Sequence, residues 1–369
     1  MTIISPDIMS QTLTGGCLCG KCRYSLDIPS PELPLKALFC HCNRCRHISG
    51  VLFASVAVLP SSSRPSQAVL DTLRQYKSSE GMTRYFCGTC GCHVFINGHS
   101  RDMWFVSTGT LEKLDGNVDV LGHIFLEDTH DSGASDWLVE INGNKLKRWA
   151  QTAGSPELPV GWHSTEPKAT TSASPSDRLH AHCDCKGVTF YISRPHPQIK
   201  NTQTPTEPQQ QQQQPPPAQE QWWLRAHGRK YLADNCSCDS CRLVTGYDIQ
   251  HWAYIPTPAI SLSPDGAEPF SREFGTLRSY RSSDKATRMF CSVCGATVFF
   301  DGDARYEESP VVIDVSVGLL DAEEGARAES WLGWVTDGHS YPEDGMKRAK
   351  ALTLALDAGL RAWGQGREG

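Results

Sequence analysis

The sequence has no run of 18 apolar residues, and its apolar-rich stretch from Val51 to Leu59 is too short to cross a bilayer. No membrane partner is expected. Neither sign of charge dominates: 35 Lys and Arg stand against 41 Asp and Glu, for a formal net charge of -6. Without a basic field, nucleic acid and anionic lipid are not expected as partners. The segment from Met1 to Thr14 lacks the basic and apolar regions of a secretory signal, so a reducing, cytoplasmic setting is expected. Helical periodicity is scarce. Its one clear instance runs from Glu343 to Trp363, with Met346, Ala349, Leu352, Leu356, Leu360 and Trp363 on one side. A composition of 39% hydrophobic and 21% charged residues excludes a fully disordered or collagen-like chain, and 369 residues suit two or three domains.

Cysteine, by contrast, is plentiful: there are 16. In a reducing compartment such residues more often bind metal or do chemistry than form disulfides. They fall into an ordered set, CxC, CxCxxC, CxxC, that occurs twice. The first set is Cys17 and Cys19, then Cys40, Cys42 and Cys45, then Cys87 and Cys90. The second is Cys183 and Cys185, then Cys236, Cys238 and Cys241, then Cys291 and Cys294. The flanks repeat as well. Arg46 and Arg242 follow the CxCxxC, with Gly50 and Gly246 four residues on, and Arg84-Tyr-Phe-Cys aligns with Arg288-Met-Phe-Cys. Later segments end in Gly109-Thr-Leu111 and Gly318-Leu-Leu320. The chain is a tandem duplication. Cys22 and Cys92 stand outside the set, opposite Val188 and Ala296, and read as small buried hydrophobes.

Composition places the boundaries. The first copy spans 14–149 and a Ser/Thr/Pro/Gly-rich linker spans 150–178. The second copy spans 179–341, interrupted at 195–221 by a Gln/Pro tract that cannot bury a core and reads as a disordered loop. A C-terminal helix and tail fill 342–369, the helix packing across a copy or between the two. Elsewhere short β-branched and aromatic runs predict strands. In the first copy they are Arg23–Ile28, Ala37–Cys40, Leu52–Leu59, Leu73–Tyr76, His93–Ile96 and Met103–Thr108. In the second they are Val188–Ile192, Tyr231–Asn235, Ile249–Ile255, Leu277–Tyr280, Thr297–Phe300 and Val311–Val317. Each copy is expected to be mainly β.

A CxxC turns two sulfurs toward one metal, and pairing it with the CxC gives a closed tetrahedral four-cysteine zinc site. That predicts Cys17, Cys19, Cys87 and Cys90 as one site and Cys183, Cys185, Cys291 and Cys294 as another. The CxCxxC leaves three sulfurs and an open fourth position, the arrangement of a catalytic zinc. Those trios are Cys40, Cys42, Cys45 and Cys236, Cys238, Cys241, giving two zinc ions per copy and up to four per chain. Arg44, Arg46 and Arg242 are candidates to offset the thiolate charge or to hold an acidic substrate group. A fourth ligand from His41, His47 or His93 would close a trio, but none has a histidine counterpart in the second copy. Iron–sulfur clusters need a fourth ligand that the CxCxxC lacks. His123, Glu127, Asp128 and His130 are the nearest acid–base groups and read as surface residues.

Three segments carry a family resemblance: Gly15-Gly-Cys17-Leu-Cys19-Gly-Lys-Cys-Arg-Tyr24, Cys40-His-Cys42-Asn-Arg-Cys45-Arg46 and Arg84-Tyr-Phe-Cys87-Gly-Thr-Cys90-Gly91. They resemble the glutathione-dependent formaldehyde-activating enzymes and centromere protein V. The second copy is looser, with Lys186-Gly187 and Ser237 at variant positions, but keeps all seven cysteines. The resemblance implies an Mss4-like β-tent fold in each copy, with a structural zinc on the CxC/CxxC and a catalytic zinc on the CxCxxC. It further implies a carbon–sulfur lyase that forms S-(hydroxymethyl)glutathione, with a small-molecule thiol or aldehyde substrate and glutathione as candidate co-substrate. Two other classes are compatible: a zinc enzyme of secondary metabolism performing another C–S cleavage, dehydration or cyclisation, and a non-catalytic zinc module that binds a protein. No catalytic residue is assigned beyond the open-site ligands, and the oligomeric state is left open.

Overall fold

The computed structural model describes residues 9–165, 178–195, 221–302, 305 and 310–366. The first copy opens with a hairpin, β1 (Ser10–Gly16) and β2 (Arg23–Pro29), whose side chains alternate between exposed and buried as a half-buried sheet requires. Next come β3 (Leu35–Cys40), helix α1 (Asn43–Ser49), β4 (Ala54–Val58) and a single-turn helix α2 (Gln67–Leu70). Strands β5 (Arg74–Ser79), β6 (Met82–Phe86), β7 (His93–Gly98), β8 (Met103–Ser107) and β9 (Val118–Ile124) follow. Short pieces close the copy: β10 (Glu140–Ile141), β11 (Asn144–Lys145) and β12 (Lys147–Arg148). The main sheet runs in the order β12-β9-β3-β4-β8-β7-β6-β5, with β9 parallel to β3.

The second copy repeats this plan. A hairpin of β13 (Arg178–His182) and β14 (Thr189–Ser193) precedes β15 (Leu224–Arg225), β16 (Lys230–Cys236) and helix α3 (Asp239–Thr245). Then come β17 (Gln250–Pro256), β18 (Ile260–Ser261), β19 (Leu277–Ser283), β20 (Ala286–Cys291), β21 (Thr297–Gly302), β22 (Val312–Ser316) and β23 (Leu332–Trp334). Its sheet has the order β15-β16-β17-β22-β21-β20-β19, with β23 parallel to β16. The chain is mainly β. Each predicted strand forms with ends within three residues of the prediction. Among the described residues no helix is long and apolar enough to cross a membrane.

The copies share one interior. A single apolar cluster joins Phe39, Phe53 and Trp137 of the first copy to Phe190, Ile249 and Val315 of the second. Helices α1 and α3 carry some of the contacts at the junction. The buried Arg46 guanidinium donates to the carbonyls of Gly318 (3.2 Å) and Leu320 (3.3 Å) in the second copy. Arg242 does the same to Gly109 (2.8 Å) and Leu111 (3.5 Å) in the first. Leu18 N–H donates to Leu243 O, and Asp184 N–H to His47 O, each at 3.0 Å. Each helix ends at a left-handed glycine, Gly50 at φ 83° and Gly246 at φ 89°, the usual C-terminal stop. A Cβ at either position would overlap a carbonyl of the opposite copy, Thr297 for Gly50 and His93 for Gly246.

Two expectations are corrected. The C-terminal helix is two helices, α4 (Pro342–Arg348) and α5 (Lys350–Gln365), broken at Ala349, where φ is -139° and ψ 54°. The first copy causes the break. Leu114 N–H takes the Arg348 carbonyl at 3.0 Å, and the Asp115 carboxylate accepts from Lys350 N–H at 2.7 Å. The pair of helices bridges both copies: Arg348 pairs with Asp248 (2.8 Å), and Trp363 packs on Trp137 at 5.4 Å. The supposed linker is ordered over 151–165, where it lies on the first copy. Leu158 N–H donates to Arg148 O (2.7 Å), and Ser132 donates to Trp162 O (2.7 Å). The remainder of the linker, 166–177, and the Gln/Pro tract over 196–220 lie outside the described residues.

Gly246→Ala is expected to cost clearly more than Gly116→Ala. Both glycines have positive φ, but nothing lies within 4 Å of a Cβ at Gly116. Left-handed strain alone costs about 1–2 kcal/mol. Urea unfolding of both variants should give a difference of at least about 1 kcal/mol, and equal losses would mean that the junction does not press on the α3 stop.

Candidate metal centres

The CxC turn after β1 and the CxxC turn after β6 converge, and the sulfurs of Cys17, Cys19, Cys87 and Cys90 lie within 4.8 Å of one another. Cys183, Cys185, Cys291 and Cys294 form the same group in the second copy. Neighbouring sulfurs are 3.5–3.6 Å apart, too far for a disulfide, and all are free thiols. A tetrahedral zinc with bonds of about 2.3 Å spaces its sulfurs by ~3.8 Å, so the donors fit that ion. Backbone N–H groups point at the sulfurs: Cys22 at Cys17 (3.3 Å), Val188 at Cys183 (3.3 Å) and Gly187 at Cys185 (3.4 Å). Such bonds stabilise thiolates and orient metal ligands. Hydrogen bonds from Cys17 and Cys90 hold the Cys87 thiol far below its usual range, and Cys183, Cys185 and Cys294 do so for Cys291. Cys22 and Cys92 are 1% and 0% exposed in the core beside the first quartet.

The trios form where β3 and β16 run into helices. Cys40 ends β3; the Sγ of Cys42 caps α1, accepting from Cys45 N–H at 3.3 Å; Cys45 sits in the first turn. The Cys45 and Cys40 sulfurs are 3.4 Å apart. In the second copy Cys238 caps α3 in the same way, with Cys241 N–H at 3.2 Å. The sulfurs of each trio lie within 4.8 Å of one another, and no further Cys, His, Asp or Glu among the described residues joins them.

One family model, that of the glutathione-dependent formaldehyde-activating enzymes, matches residues 12–128 and 223–336. The chain belongs to this family. It carries the family's domain in two copies, and no curated protein matches the chain. The second matched segment begins after Cys183 and Cys185, which the Gln/Pro tract separates from the rest of their copy. The structure nonetheless seats them against Cys291 and Cys294.

The charge partners of the family's CxCxxC differ from those read in the sequence. Arg46 and Arg242 donate across the junction instead of to sulfur. Arg44 donates to Ser78 O and pairs with Asp184 at 3.5 Å. The guanidinium groups on the trios are Arg84, 3.1 Å from Cys45 Sγ, and Arg288, 3.6 Å from Cys241 Sγ. Hydrogen bonds from Cys40 and Cys42 and the Arg84 charge keep the Cys45 thiol well below its usual range against burial; Cys236, Cys238 and Arg288 do so for Cys241. Their signal was in the sequence, since each is the Arg three residues before a CxxC in both copies. The histidines go elsewhere. His41 bonds His123 (2.9 Å), His47 the His182 carbonyl (2.7 Å) and His93 the Ile48 carbonyl (3.1 Å). His123, read as a surface residue, is fully buried, its second nitrogen 2.8 Å from Leu138 O. Asp128 accepts from Asn43 N–H at 3.0 Å, while Glu127 is exposed.

The second trio opens on a cavity of about 650 Å³. Trp252, Tyr254, Phe300, Arg288 and Asp314 line it. Strand register puts Val56, Val58, Ile96 and Phe105 at the equivalent places for Trp252, Tyr254, Phe300 and Asp314 in the first copy. Burial lifts the Asp314 carboxyl to about 7 despite its bond to Arg305. Another cavity, about 390 Å³ between β9 and α5, contains no cysteine.

A structural zinc contributes on the order of 10 kcal/mol to folding, comparable with the whole stability of a domain. Replacing both Cys87 and Cys90 by Ser is therefore expected to remove one metal ion per chain and to unfold the first copy. Metal analysis with circular dichroism checks this; a folded variant with undiminished metal would show that the quartet holds none.

Proposed function

We propose that the chain is a zinc-dependent carbon–sulfur lyase acting on thiol–aldehyde adducts, and that the reaction takes place at Cys236, Cys238 and Cys241. The supporting observation is the second trio facing an aromatic cavity of about 650 Å³ with Arg288 at its wall. Membership of the glutathione-dependent formaldehyde-activating enzyme family supports the reaction class. Zinc on the three thiolates would supply a Lewis acid with an open position for sulfur or oxygen.

The side chains do the rest. Arg288 offsets thiolate charge, and Phe300 beneath it (4.8 Å) fixes the guanidinium. Trp252 and Tyr254 give the cavity aromatic walls, and its volume accepts an adduct larger than that of formaldehyde. Asp314, on the cavity wall, serves as the base in this reading. In cleavage, the adduct's hydroxyl proton passes to its carboxylate, the oxygen's electron pair forms the carbonyl, and the C–S pair leaves with sulfur as thiolate. The proton then returns to sulfur. A carboxyl with a pKa near the working pH suits this exchange.

Cys238→Ala is expected to abolish cleavage of thiol–aldehyde adducts, with Cys42→Ala retaining it; activity surviving in both would overturn the reading. Because the carboxylate is the working form, wild-type cleavage should rise with pH through about 7. Asp314→Asn should lower kcat by ~10²-fold or more and remove that ionisation from the pH–rate profile.

A further inference from the structure

We infer that His180, His182 and Asp321 form a metal centre of a different kind, a site for one divalent first-row transition ion at the junction of the two copies. A ligating atom from each lies within 4.8 Å of the others, and all three residues are half-buried, so an ion can reach them. Strand geometry brings the imidazoles together, because residues two apart on β13 share a face. Asp321 is brought to them by its N–H, which donates to His180 O at 2.9 Å, and by the bridge between Ala181 and Leu320.

The imidazoles are prepared for ligation. His182 Nδ1 lies 3.0 Å from Cys183 O, a carbonyl that can only accept, so Nδ1 carries the proton and Nε2 keeps its lone pair. Metal-bound histidines are held in this manner. His180 Nδ1 is buried and makes no hydrogen bond, a costly state unless another partner is supplied. Both rings are pinned by stacking, His182 on His47 at 4.1 Å and 3°, His180 on Tyr191 at 5.0 Å and 23°. The first copy has no such set. Alignment on the CxC and on Gly-x-Leu puts Thr14, Gly16 and Glu112 at these places, and Thr14 Oγ1 simply donates to Glu112 at 2.6 Å.

Two imidazoles and one carboxylate suit Zn²⁺, Co²⁺ or Ni²⁺ rather than Ca²⁺ or Mg²⁺, which take oxygen. An ion here would tie β13 to the segment that ends at Asp321, whose Gly318 and Leu320 carbonyls receive Arg46. It would therefore fasten the junction.

The test uses the full chain, purified with its cysteine sites loaded and titrated with Co²⁺ under equilibrium dialysis and visible spectroscopy. The wild type is expected to take up one further equivalent, with weak ligand-field bands and no thiolate-to-cobalt charge transfer, and to melt at a higher temperature. His182→Ala should lose that equivalent and the shift in melting. Asp321→Asn, which preserves shape, should weaken Co²⁺ binding by more than about tenfold and decides the matter if the histidine variant fails to fold. Equal uptake and affinity in wild type and Asp321→Asn, or a charge-transfer band from the added ion, would overturn the proposal.

Discussion

Two guanidinium groups buried between the copies govern much of this structure. Arg46 and Arg242 are both buried, and each donates to two carbonyls of the other copy and to one side chain of its own helix, Asn43 for Arg46 and Asp239 for Arg242. Separating the copies would take two acceptors from each guanidinium, so the position of each helix is coupled to the opposite copy. Those helices are also the ones that carry the trios, because Cys42 and Cys238 are their caps. The geometry of each candidate metal site thus depends on the opposite copy. The duplication makes a single interlocked body rather than two domains on a string, and the α4–α5 pair, anchored on Asp115 and Asp248, closes it from outside.

A shared frame of this kind allows the copies to differ around identical ligands. The backbone that positions the sulfurs is fixed by strand pairing and by the junction, so side chains facing the trio can change without moving it. Val56 and Val58 stand where Trp252 and Tyr254 do, and Phe105 where Asp314 does. The first set makes an apolar wall; the second makes a cavity with a titratable carboxyl and two arginines. In the same way, Thr14 and Glu112 share a hydroxyl–carboxylate bond where the second copy has the His180, His182 and Asp321 cluster.

Much of this was legible in the sequence because cysteine spacing and strand alternation are local signals. The grouping of fourteen cysteines into quartets and trios follows from CxC, CxCxxC and CxxC alone, and the strands from β-branched runs. What could not be read is long-range. Helices α1 and α3 are seven residues each, too short to show an amphipathic period, and they exist because a cysteine caps one end and a glycine stops the other. The break at Ala349 arises from Asp115 and Leu114, more than 200 positions earlier, and so the 3.6-residue pattern runs through it unbroken. Residues 151–165 have the composition of a linker but meet partners at Arg148 and Ser132. Arg84 and Arg288 were visible as repeated residues, but their role needed the fold.

That role connects the two kinds of centre. Arg84 lies within β6 and Cys87 opens the turn that follows, with a β-bulge at Tyr85–Phe86 between them. The strand delivers the guanidinium to Cys45, and the turn delivers Cys87 to the quartet. β20 does the same with Arg288 and Cys291. A quartet that fixes the end of the strand therefore fixes the charge that steadies the trio's thiolate. In this arrangement the quartet bears on the trio, by holding Arg288 within reach of Cys241 and over Phe300 at the cavity wall.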